Sequence, residues 1–267
     1  MLITTDGLIT RSYATGDGDH VIHLVTPEYG RLSVMVKKGR GKKNPFAAIT
    51  QVFTHGNYEL YQGNGELYWL RGGSVLHSFY SLTEELSDMA LASYICDVTS
   101  ELSGEGENAD EILRLALNTL HVLSNTSRSR TAIKAVFELQ AATLAGYPPD
   151  LSGCGMCGTV YPENSYLDIM NGTVVCADCR TRFHQTHPFS AEEARAELGE
   201  RRVICPMTAT TLAAIRFSVL GPPKKIFSFA IADREEETIF ARVAETYLLH
   251  HLERGFDTLD FYHSVEV

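Results

Sequence analysis

Apolar positions in the first 80 residues come as short, β-rich runs. Leu2-Ile3 with Leu8-Ile9, Val21 to Val25, Leu32 to Val36, Val52 to Leu60 and Leu67 to Leu70 are the clearest. Turn residues separate them: Gly16-Asp17-Gly18-Asp19, Pro27-Glu28-Tyr29-Gly30, Gly63-Asn64-Gly65 and Gly72-Gly73. About five strands in so short a stretch predict a small closed barrel, because closure removes the edges a short sheet would expose. An OB-type barrel is the leading expectation.

From residue 81 the period becomes helical. Ser81-Leu82-Thr83-Glu84 has the form of a capping box, followed by Leu86, Met89, Ala90, Ile95 and Leu102. A second helix starts near Asp110 and carries Ile112, Leu113, Ala116, Leu117, Leu120 and Leu123. A third carries Ile133, Val136, Phe137, Gln140 and Leu144 and stops at Gly146, before Pro148 and Pro149. Ser190 to Glu193 is a second capping box. Helical patterns follow over Ala209 to Leu220 and roughly Glu236 to Glu253, with Gly255 as the last stop.

Between these helices stand Cys154-Gly155-Met156-Cys157 and Cys176-Ala177-Asp178-Cys179, with 18 residues between the pairs (176 − 157 − 1). Two Cys-x-x-Cys pairs at this interval form the ligand set of a structural zinc site. His184, His187 and Cys205 lie near enough in sequence to replace one sulfur. The alternatives are a redox pair, which needs one Cys-x-x-Cys on a helix N-terminus after a strand, and two disulfides, which need an oxidising compartment. Tyr161 to Asn164 and Met170 to Thr173 read as turns around a short strand pair.

The expected organisation is therefore an α+β multidomain chain. An OB-fold spans 1–80, and a helical domain spans 81–150 and 185–255. A zinc-binding insertion occupies 151–184, and 256–267 is a C-terminal tail.

Charge changes the picture. The net charge is −10 over 267 residues. Residues 1–80 hold eight Lys or Arg against six acids, for +2, which leaves −12 on the remainder. A basic module on an acidic body predicts partners of opposite sign for the two parts. The sharpest feature is Lys37-Lys38-Gly39-Arg40-Gly41-Lys42-Lys43, with five cations, two glycines and no acid. Phosphate binding with counterion release needs such a cluster and no fixed geometry. The competing reading is a solvated loop that only adds solubility. Phe46, Phe53, Tyr58, Tyr61, Tyr68 and Trp69 offer stacking faces for unpaired bases, or fill the barrel core.

Four protein ligands would close a zinc shell and leave no position to activate water. No Walker loop, His-Glu-x-x-His or Gly-x-Ser-x-Gly string is present. These facts point to a non-enzymatic DNA binder. A second reading is a protein-docking adaptor: Arg128, Arg130 and Lys134 beside Ile133 and Phe137 would form a cationic rim for an acidic, Phe-ended peptide tail. Its competitor is a solvated loop before a core-facing helix. A hydrolase or thiol oxidoreductase would need an open zinc position or a reactive thiol. The thiol content and the lack of a signal-peptide core or a membrane-length apolar run predict a cytoplasmic protein.

Several strings in order resemble the RecO family of bacterial recombination mediators. They are Gly7 to Tyr13, Thr26 to Arg31 with Val36 to Gly39, Ala92-Ser93-Tyr94, Ala145 to Leu151 leading into the cysteines, and Tyr247 to Leu252. The resemblance implies binding of single- and double-stranded DNA and annealing of complementary strands. It also implies contact with the tail of single-stranded-DNA-binding protein, pairing with RecR, and loading of RecA onto gaps. It places DNA contacts on basic barrel residues matching Arg11, Arg31, Lys37, Lys38, Arg40, Lys42 and Lys43. The acidity of the body departs from an extended DNA surface.

Overall fold

The computed structural model describes residues 1–15, 18–37, 46–63, 67–186 and 203–266. They fall into two compact units, Met1–Arg130 with Phe256–Val267, and Thr131–Gly255.

The first unit is built on five strands: β1 (Leu2–Ala14), β2 (His20–Thr26), β3 (Gly30–Val36), β4 (Thr54–Gln62) and β5 (Tyr68–Ser78). They close into a barrel in the order β1-β2-β3-β5-β4. About five short β-rich runs between turn residues predicted this closure. Along β3 the residues alternate buried and half-buried, and Ile3, Ile22, Leu24, Val34, Tyr58, Leu60 and Leu70 meet inside as the core. Leu2-Ile3 and Leu8-Ile9 belong to one 13-residue strand, the first of the five expected. One expectation needed correction. Gly72-Gly73 is no turn but lies within β5, beside a register shift at Glu59/Leu60. A Cβ on Gly73 would stand 2.4 Å from the Asn57 carbonyl oxygen, so the missing side chain lets the strand curl.

A 3-10 turn (Tyr80–Thr83) leads from the barrel to helix α1 (Leu86–Glu101). The expected capping box therefore does not start the helix. Burial of Leu82 holds that stretch in a tighter turn, and α1 begins after Glu85, which makes no side-chain cap. Helix α2 (Asp110–Asn125) follows and buries one stripe, Ile112, Leu113, Ala116, Leu120 and Leu123.

The second unit holds α3 (Arg130–Leu144) from Thr131 onward, followed by β6 (Asp150–Cys154), β7 (Asn164–Asp168), β8 (Thr173–Cys176), α4 (Ala177–Thr186), β9 (Ile204–Thr208), α5 (Ala209–Leu220) and α6 (Arg234–Leu252). The expected strand pair is β7 with β8, paired antiparallel, and β6 and β9 extend it to a four-stranded sheet in the order β6-β8-β7-β9. The sequence hid β9 because Pro206 sits inside it. An edge strand tolerates proline, and among the described strands β9 pairs with β7 alone. Helices α5 and α6 start under side-chain caps from Thr208 and Asp233. The second expected capping box lies outside the described residues.

Residues 257–265, expected in a tail, form helix α7. Phe256, Leu259 and Tyr262 are buried, and Ser87 Oγ donates to the Val265 carbonyl, so α7 packs on α1 within the first unit.

Candidate metal centre and nucleic-acid interface

Cys154 ends β6, Cys157 follows in a turn, Cys176 ends β8, and Cys179 lies in the first turn of α4. The Gly158 N–H donates to the Cys154 carbonyl and closes the first turn. The four Sγ atoms lie within 4.8 Å of one another, and Cys157 Sγ is 3.7 Å from Cys176 Sγ. A tetrahedron with metal–sulfur bonds of about 2.3 Å has edges of about 3.8 Å, so this set can hold a metal ion.

The electrostatics agree. Backbone N–H groups of Cys176 and Cys179 donate to Cys154 Sγ and Cys176 Sγ. Hydrogen bonds from Thr159 hold the Cys157 thiol down to about 6. Neighbouring Cys157 and Cys176 push Cys179 up to about 12. Four thiols packed this closely compete for negative charge, which a divalent ion would relieve.

All six cysteines are free thiols, so the disulfide alternative is not realised. The second pair does sit at a strand-to-helix junction, as a redox pair would, but the first pair completes its sulfur set. Cys205 is buried near Thr246 and Arg242, outside the cluster. His187 lies outside the described residues, as does the His184 side chain.

On the barrel, Arg11 and Arg31 are held by α1. Arg11 Nε donates to Asp97 Oδ1 at 2.8 Å, and its Nη2 lies 2.8 Å from Asp97 Oδ2. Arg31 Nη1 donates to the Ser100 carbonyl. Between them stands His23, whose Nε2 is 2.8 Å from the Tyr13 hydroxyl. Burial lowers the pKa of His23, and the charges of Arg31 and Arg11 lower it further. Lys37 is exposed, with Nζ 4.7 Å from the Trp69 ring centre. Lys38, Arg40, Lys42 and Lys43 lie outside the described residues.

The barrel aromatics sort cleanly. Tyr58 and Phe53 are buried, and Phe46 and Tyr68 pack on the core. Tyr61 is 41% exposed, and Arg71, a cation not singled out from sequence, lies 5.2 Å over its ring. The strand period could have found Arg71, which is two residues from Trp69 and so on the same face.

The expected peptide-binding rim is corrected. Lys134 is buried and bonds Glu138 Oε1 at 2.9 Å and Glu245 Oε2 at 2.6 Å. Burial alone lowers its pKa, but the two carboxylates outweigh that and raise it. Every residue of α3 from Ile133 to Leu139 is buried, so a cation at 134 faces protein rather than a partner. Arg130 pairs with Asp88, and Arg128 is exposed. No described helix is long and apolar enough to cross a membrane.

The family description Recombination protein O N terminal matches residues 1–79, and Recombination protein O C terminal matches residues 83–260. The chain is 25% identical over 259 residues to the DNA repair protein RecO of Acetivibrio thermocellus, covering 97% of this chain and 95% of that one. Identity to the Symbiobacterium thermophilum protein of the same name is 29% over 182 residues, 67% of this chain and 71% of the relative. For the Thermoanaerobacter sp. protein it is 22% over 266 residues, 99% and 98% of the two chains. The chain belongs to the RecO family of DNA repair proteins.

Proposed function

We propose that this protein binds single- and double-stranded DNA through its barrel and anneals complementary strands, without bond chemistry of its own. The observation that carries the reading is the exposed Lys37 at the start of the stretch 37–43, which holds five cations and no acid. Two strands repel through their phosphates. A cationic surface lowers that repulsion while bases pair, releasing counterions as it binds. Lys37, Lys38, Arg40, Lys42 and Lys43 supply these contacts. Arg31 adds to them, and Arg11 contributes its exposed edge while Asp97 holds its guanidinium.

Zinc is the metal assigned to Cys154, Cys157, Cys176 and Cys179, since four thiolates in tetrahedral reach suit it. It fastens the small sheet and takes no part in chemistry. Pairing with RecR, contact with the tail of single-stranded-DNA-binding protein and loading of RecA belong to this reading through family membership. It places the protein at the bacterial nucleoid. The direct test is annealing of complementary labelled oligonucleotides. The protein should accelerate pairing at low salt and lose that effect as salt rises. No acceleration at any salt would remove the proposal.

A further inference from the structure

The barrel carries aromatic side chains on its outside. Tyr61 of β4 is the direct cross-strand partner of Trp69 of β5, and Leu2 of β1 is the partner of Tyr61. Met35 of β3 aligns with Trp69 on its other side. Direct partners share a face of the sheet. Their neighbours Ile3, Leu60, Leu70, Val34 and Val36 fill the core, so strand alternation turns this row outward. Leu2 is 66% exposed.

We infer that Trp69 and Tyr61, with Lys37 and Arg71 over their rings, form a stacking platform for the unpaired bases of single-stranded DNA. This rests on the DNA-binding reading above and names the surface that separates single from double strands. Adjacent rings on neighbouring strands offer π faces to successive bases, and every base has a face to stack. In a duplex those faces are already covered by neighbouring base pairs.

The cations select the occupant. Lys37 Nζ and the Arg71 guanidinium rest on the two rings. A base arriving on a ring displaces its cation by a short swing of a flexible stem, and the strand's own phosphates receive the charge. An apolar protein surface would instead strand both charges. Further along the same face stand Glu59, opposite Thr4, and Asp6, which accepts from Asn57 Nδ2. These acids confine the strand to the Lys37 end.

Trp69 is the chain's one tryptophan, so its emission reports on the platform alone. The probes are an oligothymidylate, the same backbone with abasic residues, and a duplex. Binding is followed in parallel by anisotropy of a label on the DNA. The platform predicts quenching of Trp69 by oligothymidylate and little by the abasic strand or the duplex. Tyr61→Ala and Trp69→Leu should each weaken oligothymidylate binding about tenfold while leaving the duplex unchanged. Trp69→Phe should restore most of the loss, which also shows that the barrel folds. Oligothymidylate binding with unchanged emission, or variants that bind it as the parent does, would overturn the platform and leave the phosphate-binding reading standing. Absence of binding to all three probes would overturn both.

Discussion

Arg11 clasps Asp97 through two nitrogens, joining β1 of the barrel to the C-terminal half of α1. Asp97 is itself almost buried and takes a third hydrogen bond from Thr258 of α7. Three separate stretches of chain thus converge on one carboxylate. Removing the guanidinium leaves a mostly buried charge short of partners, the costly half of breaking an ion pair. Arg11→Ala is expected to cost about 2 kcal/mol in urea unfolding. The double variant with Asp97→Ala should cost less than the sum of the two single changes. Strict additivity would mean that the pair contributes nothing.

Among the described glycines, Gly30 lies closest to another stretch of backbone. Its φ is +63°, and an added Cβ would fall 1.8 Å from the Gly104 carbonyl oxygen. The same turn receives the Gly106 N–H at the Tyr29 carbonyl and the Ala109 N–H at the Pro27 carbonyl. Gly30→Ala therefore forces this turn away from the loop after α1, and strain of this kind costs about 1–3 kcal/mol before the clash is counted. The measurement is hydrogen exchange at Gly106 and Ala109. Protection equal to that of the parent protein would refute this role.

The cysteine cluster predicts a metal-dependent local structure. Metal analysis should find one zinc per chain. Chelation, or Cys154→Ser, should make the segment around β6 to β8 sensitive to protease while the barrel's cut pattern stays the same. Binding energies for such sites are about 10 kcal/mol or more, enough to order a sheet this small. Full protease resistance after complete metal loss would contradict the assignment.

His23 gives a pH dependence with a definite sign. Its pKa lies below the ordinary 6.5 because burial and the nearby Arg31 and Arg11 disfavour its charged form, against weaker opposition from Glu105 and Asp97. The unfolded chain then binds the proton more readily than the folded one. The neutral ring's contribution is present above 6.5 and is lost as pH falls through the lowered folded-state value. His55, also lowered by burial, acts in the same direction. Stability of the first unit should fall on acidification from 6.5, and His23→Gln should flatten that fall. An unchanged slope would remove His23 from the account.

Local period explains what the sequence made legible. The barrel could be read from short β-rich runs set between turn residues, and strands such as β3 show in the structure the alternation that turns one face to the core. The cysteine pairs carry their own spacing. Tyr68-Trp69-Leu70 is an unbroken apolar run with no period-2 signal, so the sequence could not say which ring faces outward. Lys134 misled because a cation was taken to mark a surface, whereas α3 is enclosed and two carboxylates compensate the charge, Glu138 of α3 itself and Glu245 of α6. Helix α7 escaped because nine residues with two buried positions, Leu259 and Tyr262, make a short pattern beside the long ones. Strand β9 escaped through its proline.

On the proposed function, phosphate recognition resides in the cations at 37–43. DNA affinity measured against salt, for the parent and for a variant with Lys37, Lys38, Arg40, Lys42 and Lys43 replaced by Ala, tests it most directly. The slope of log affinity against log salt should shrink by about one for each phosphate contact removed, with affinity falling for single and double strands alike. An unchanged slope and affinity in the five-fold variant would contradict the account.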